Sequence, residues 1–248
     1  MIAAVAIVGV LAGCREAGVR DLGSGSRKDA ATAAAAPTSA DTGPRTPVPG
    51  TRLIVFLGTS LTAGLGLDPD QAYPAVIQRR LDSLKLPWRA VNAGVSGETS
   101  AGALSRLDWV LAGRPAVLVL ETGANDMLRG MDLDSTRANL AAIVRRAREV
   151  NPGVRIVLAG MEAAPNLGPR YAAQFRSLFP DLAAREHLAL VPFLLAGVGG
   201  VDSLNQADGI HPTAAGDRIV AENVWRVLEP LLTQGTRARG HRGTGGER

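Results

Sequence analysis

Five short apolar runs, Leu53–Leu57, Ala90–Asn92, Ala116–Leu120, Val154–Ala159 and Ala189–Pro192, punctuate the chain, and helical patterns fill the intervals between them. Strands this short and continuously apolar are buried on both faces, which happens where helices cover the two sides of a parallel sheet. Tyr73, Val76, Ile77, Leu81 and Leu84 repeat at helical spacing, as do Leu140, Ile143, Val144 and Ala147, and further helices are expected over 100–112, 170–186 and 213–232. With right-handed crossovers between strands, this pattern predicts an α/β fold: a three-layer α/β/α sandwich around a five-stranded parallel sheet. Residues 51–232 are expected to form it as one domain, without internal repeats.

The flanks differ in kind. Ile2–Ala12 is an apolar run of 11 residues, short of the roughly 20 that span a bilayer. Leu11-Ala12-Gly13-Cys14 closes it with small residues and the one cysteine of the chain. This has the form of an export signal, and the closing residues resemble the bacterial lipoprotein box, in which the Cys becomes the lipidated first residue. Residues 1–14 are therefore expected to be a lipoprotein signal with Cys14 as its lipidation site. Residues 15–50, rich in Ala, Thr, Pro and Gly, lack the bulky apolar side chains that offset chain entropy and are expected to be a disordered tether. The Gly- and Arg-rich residues 233–248 are expected to be a disordered tail. So read, the protein is exported to the bacterial cell envelope and held at the membrane by lipid.

A net charge of +4 raises the question of nucleic acid, but its location answers it. The tails carry the surplus, and residues 51–232 hold 18 basic and 18 acidic side chains. That body lacks the one-faced positive field that phosphate backbones require, so nucleic acid is not an expected partner. A single cysteine excludes an intramolecular disulfide and a Cys-based zinc site. The sequence also contains no G-x-x-x-x-G-K-[ST] phosphate loop, no H-E-x-x-H zinc helix and no G-x-S-x-G elbow. Neither a metal nor a cofactor is expected.

In open α/β sheets ligands bind at the carboxyl ends of the strands, and four such junctions are unusual here. Leu53–Leu57 runs into Gly58-Thr59-Ser60-Leu61; the others are Asn92-Ala93-Gly94-Val95-Ser96-Gly97, Gly123-Ala124-Asn125-Asp126 and Asp208-Gly209-Ile210-His211-Pro212. Singly each has a bland explanation: a helix cap, a glycine turn, an Asn-Asp turn, a capping network. Their joint occurrence in this order is much harder to obtain by chance.

The four blocks resemble the SGNH hydrolase superfamily, or GDSL esterases, and within it the bacterial arylesterase and acyl-thioesterase I branch. The likeness spans about 52–232 and includes T-A-G-L-G-L-D-P-D-Q-A-Y-P-A, V-N-A-G-V-S-G-E-T-S, R-L-D-W-V-L and N-Q-A-D-G-I-H-P. It implies the flavodoxin-like SGNH fold and a serine esterase acting on short to medium acyl esters, with possible thioesterase and lysophospholipase activity on small acyl-ester or lipid-like substrates. The resemblance implies Ser60 as nucleophile, His211 as base, Asp208 as the acid that orients it, and the N–H groups of Ser60 and Gly94 with the Asn125 amide as the oxyanion hole. Two residues depart from the family pattern. Thr59 stands where the G-D-S-L signature has Asp, and Met127 stands where close relatives often have Gly.

The chemistry is coherent with those residue types. A serine hydroxyl needs an adjacent base to attack at neutral pH, an imidazole can take the proton and return it to the leaving group, and a carboxylate three residues away can fix its tautomer. Met127, Pro165, Asn166 and Leu167 are expected to border the acyl pocket. His187, near a helix end, reads as structural, Asp126 as a loop brace, and Glu121 as a polar contact at its strand end. Two rival readings stand beside the esterase: a carbohydrate or peptidoglycan O-acetyl esterase of the same fold, and a non-catalytic envelope lipoprotein that binds without turnover.

Overall fold

The computed structural model describes residues 50–163 and 167–237. The expected signal with Cys14, nearly all of the tether, and residues 238–248 of the tail lie outside the described residues.

Five strands, β1 (Arg52–Gly58), β2 (Trp88–Gly94), β3 (Val117–Leu120), β4 (Arg155–Ala159) and β5 (Ala189–Val191), form one parallel sheet in the order β2-β1-β3-β4-β5. Among the described residues eight α-helices connect or follow them: α1 (Ser60–Ala63), α2 (Tyr73–Ser83), α3 (Ser100–Ser105), α4 (Leu107–Leu111), α5 (Ala124–Leu128), α6 (Leu133–Val150), α7 (Pro169–Glu186) and α8 (Ala214–Arg237). The chain moves outward from β1 to β2 and then reverses, stepping through β3, β4 and β5 on the other side. Right-handed crossovers therefore place α2 on one face and α3, α4, α6 and α7 on the other. In agreement, α8 packs against α2, and α6 against α3, α4 and α7. None of the described helices is long and apolar enough to cross a membrane.

The apolar runs are strands for the expected reason. Val117, Leu118, Val119 and Leu120 have no exposed surface, nor do Ile54, Phe56 and Leu57 on the neighbouring strand. Residues so enclosed on both sides cannot alternate in polarity. The edge strand β2 is only partly buried, and it runs longer than its apolar core: pairing with β1 continues residue for residue from Arg52–Trp88 to Gly58–Gly94.

Two expected boundaries are corrected. The helix read over 100–112 is two, α3 and α4, broken at Arg106, whose backbone (φ −101°, ψ 6°) leaves the helical region while its guanidinium reaches Glu98 and the Ala93 carbonyl. The last helix does not stop at 232 but continues to Arg237, carried past the buried Leu232, with Thr233 donating to the Glu229 carbonyl one turn back.

Candidate active site

The reversal of strand order opens a crevice between the carboxyl ends of β1 and β3, where ligands of open α/β sheets bind. Ser60 follows β1 and begins α1; Asn125 follows β3 in the first turn of α5. His211 and Asp208 arrive from the turn before α8. The Ser60 hydroxyl lies 2.8 Å from His211 Nε2, and His211 Nδ1 lies 2.7 Å from Asp208 Oδ2. For Nε2 to accept the serine proton, Nδ1 must carry the other ring proton and donate it to Asp208. Asp208 is held well below the usual carboxylate range, first by the N–H of His211, then by its imidazole and the N–H of Ile210. Those bonds, 3.0 and 2.9 Å to Oδ1, make the acid and the imidazole parts of one turn. Gln206 fastens that turn to the loop after α1, donating from Nε2 to the carbonyls of Leu65 and Pro212 at 2.7 and 2.9 Å.

Beneath Ser60 sits a buried carboxylate. Glu121, just past β3, accepts from the Thr59 N–H (2.7 Å), the Thr59 hydroxyl (2.9 and 3.0 Å) and the Thr62 hydroxyl (2.9 Å), and Thr62 is in turn hydrogen-bonded to Tyr73 Oη. Burial pushes Glu121 up to about 7 against the opposing pull of these donors. The expected polar contact at Glu121 is thus the brace of the nucleophile turn. Thr59, occupying the helix-capping position, turns its hydroxyl to Glu121 and not to the helix end. Among the described residues the Ser60 N–H has no acceptor and stays available at the crevice.

One expected donor is corrected. The Gly94 N–H points to Asn92 Oδ1 at 2.9 Å, and Gly94 is the last residue of β2, packed so closely on the nucleophile turn that a Cβ would stand 2.3 Å from Ala63 N and 2.8 Å from the Thr59 carbonyl. The sheet needs a glycine there for close approach. Gly97 faces the crevice with Ser60, Asn125 and His211, and among the described residues its N–H has no acceptor. It adopts a left-handed φ of +77° that suits glycine. The missed signal is the register: once β2 pairs through Gly94, the turn begins at Val95 and its free backbone lies near Gly97. Asn125 Nδ2 donates to the Glu98 carbonyl at 3.0 Å, which occupies one of the two hydrogens of the amide.

The crevice encloses about 650 Å³. Leu65, Met127, Leu128, Met161, Phe193, Leu195 and Ile210 give it an apolar wall, and among its described lining residues Glu162 is the one acidic side chain and none is Lys or Arg. Met127 lies on that wall. Leu167 instead packs half-buried against the core, and Pro165 and Asn166 lie outside the described residues. Asp126 accepts from Ser100 N–H at 2.8 Å and from the hydroxyls of Ser100 and Thr136, as a loop brace. His187 is the exposed, left-handed cap that ends α7.

A strand-end serine in line with a histidine and a carboxylate, on a parallel sheet, is the arrangement of a serine hydrolase. The family comparison agrees: residues 56–219 match the GDSL-like lipase/acylhydrolase family, and the chain belongs to it. Over 180 residues it is 46% identical to esterase TesA of Pseudomonas aeruginosa, covering 72% of this chain and 89% of that protein. Against thioesterase 1/protease 1/lysophospholipase L1 of Escherichia coli the identity is 31% over 180 residues, 72% of this chain and 84% of that protein. The crystal structure of TesA superposes with a TM-score of 0.70 at 46% identity, covering 73% of this chain and all of that one. The chain is accordingly a GDSL-type serine ester hydrolase of the esterase and thioesterase kind, with small ester or lipid-like substrates.

Proposed function

We propose that Ser60 attacks the carbonyl carbon of an acyl ester or thioester while its proton passes to His211 Nε2. The new bond from Oγ to carbon pushes the carbonyl electron pair onto oxygen. That oxyanion is met by the N–H groups of Ser60 and Gly97 and by the second amide hydrogen of Asn125. Collapse breaks the bond to the leaving alcohol or thiol, which takes the proton from His211. Water, deprotonated by the same imidazole, then attacks the acyl carbon; collapse breaks the bond to Ser60 Oγ, which takes the proton back from His211, and the acyl group leaves as a carboxylic acid. Asp208 holds the imidazole in the required tautomer throughout.

The hydrogen-bonded line from Ser60 through His211 to Asp208 carries this reading. An apolar wall without lysine or arginine favours acyl chains of short to medium length over sugar rings, which ranks the carbohydrate O-acetyl esterase second. The enzyme is further proposed to work at the cell envelope, held by lipid on Cys14. A fluorophosphonate probe tests the nucleophile: labelling of the wild type and none of Ser60→Ala is the expected result, whereas an unlabelled wild type supports a binding module. Turnover of p-nitrophenyl esters of graded length against acetylated sugars separates the two esterase readings.

A further inference from the structure

One of the three oxyanion donors, the Gly97 N–H, sits on an exposed loop, while Ser60 and Asn125 stand on helices α1 and α5. Val95, Ser96 and Gly97 are all exposed, and the loop's own backbone bonds are few: the Val95 N–H donates to the Gly58 carbonyl at 2.9 Å and the Glu98 N–H to the Val95 carbonyl at 3.2 Å. A segment with so little buried surface opens easily unless something outside it holds it. Arg106 ties its two ends together. Its Nε and Nη2 each lie 2.6 Å from a carboxylate oxygen of Glu98, and Nη2 also reaches the Ala93 carbonyl at 2.7 Å. One guanidinium thus joins the two ends of the loop, Ala93 before it and Glu98 after it. The pair is largely shielded, with side-chain exposures of 19% for Arg106 and 9% for Glu98, so its charge-assisted bonds are weakly screened. The Glu98 carbonyl in turn accepts from Asn125 Nδ2, and Arg129 donates to the Gly97 carbonyl at 2.8 Å.

We infer that Arg106 and Glu98 are positioning residues of the reaction: their ion pair closes the 95–97 loop and so fixes both the Gly97 N–H and the Asn125 amide at the oxyanion. The inference rests on the proposed role of those two donors. Arg106 touches no reacting atom. Its contribution is geometric, since a displacement of about 1 Å at a catalytic group can lower a rate about 10²-fold. Lysine cannot replace it, because a single ammonium lacks the planar fork that bridges two carboxylate oxygens.

The experiment uses the full chain with active sites titrated by fluorophosphonate. Arg106→Ala, Arg106→Lys and Asn125→Ala, with the double variant Arg106→Ala/Asn125→Ala, are compared in kcat and KM on a p-nitrophenyl ester. Affinity for a trifluoromethyl ketone, whose serine adduct carries the tetrahedral oxyanion, is measured alongside. Both Arg106 variants should lose about 10²-fold in kcat per titrated site with KM nearly unchanged, and the ketone should weaken by a similar factor. Removing Arg106 from the Asn125→Ala enzyme should cost much less than removing it from the wild type. If Arg106→Ala does not fold, Glu98→Gln, which keeps the volume and one acceptor for Arg106, should show a smaller loss of the same pattern. A lower melting temperature with unchanged kcat per site and unchanged ketone affinity overturns the inference, as does an equal loss in both backgrounds. A slow Asn125→Ala beside a fast Arg106→Ala rejects the clamp alone. A normal Asn125→Ala rejects the oxyanion reading and the clamp with it.

Discussion

Thr59 and Glu121, 62 residues apart in sequence, are joined by three hydrogen bonds: the Thr59 N–H donates to one carboxylate oxygen and its hydroxyl reaches both. A carboxylate can accept all of these; an amide with its oxygen toward the Thr59 N–H turns its NH₂ to the Thr59 hydroxyl, which accepts only one of the two amide hydrogens. Glu121→Gln should therefore leave a buried donor unpaired, lower stability by about 1–3 kcal/mol and shift the turn that carries Ser60. A melting temperature and kcat measured together check this, and a variant that loses neither would show that the brace is dispensable.

A second buried carboxyl gives a pH effect with a definite sign. Asp217 accepts the Tyr73 N–H at 2.9 Å, and burial raises it from 3.8 to about 7 despite that bond. The folded protein thus binds this proton more tightly than the unfolded chain. Its stabilising effect is full below about pH 4 and is lost as pH rises through 7. Asn can accept the same N–H without ever carrying the charge. Asp217→Asn should gain stability relative to the wild type as pH rises from 4 to 8, by an amount on the order of 1 kcal/mol or more. Thermal melts across that range that remain parallel would contradict it.

Ser60→Ala and His211→Ala should each remove most turnover, and the double variant should be no slower than either, because nucleophile and base act as one unit. His187→Gln, at the exposed end of α7, should leave the rate unchanged. Single-turnover assays of the four proteins decide this.

The two glycines of the β2 turn should respond in opposite ways to an added methyl. Gly94→Ala drives a carbon into the backbone of Ala63 and Thr59 and should prevent stable folding. Gly97→Ala meets only the tip of Arg129 at 3.9 Å, so the left-handed backbone, at about 1–2 kcal/mol, should be its main penalty. Soluble yield and melting temperature distinguish them.

Cys14→Ser, expressed from the full chain in a bacterial host, should move the protein from the membrane fraction to the soluble one. An apolar run of 11 residues is too short to hold by spanning, so anchoring should depend on acyl chains. Retention of the variant in the membrane would refute a lipid anchor.

Much of this architecture is legible in the residues themselves. The five strands declare themselves because enclosure on both faces forces uninterrupted apolar runs, and Ser60, Asn125, Asp208 and His211 lie where strand ends and a pre-helix turn must converge. The errors have a common physical origin in groups whose partners are remote in sequence. Whether Gly94 or Gly97 offers its N–H depends on how far β2 pairs with β1. The break between α3 and α4 depends on where the Arg106 guanidinium finds its acceptors. The depth of the Glu121 network follows from a strand that is third in sequence lying next to the first.

The tie from Gln206 to the Leu65 carbonyl has a consequence for how long the enzyme stays active under stress. Acid and base share one short exposed turn, and the separation that governs turnover is the gap between that turn and α1, bridged by a few polar bonds and not by the apolar core. Catalysis therefore depends on a region of lower local stability than the sheet beneath it. On gentle heating, or in mild urea, activity should fade while the sheet remains intact, and cooling should restore it without refolding of the whole chain.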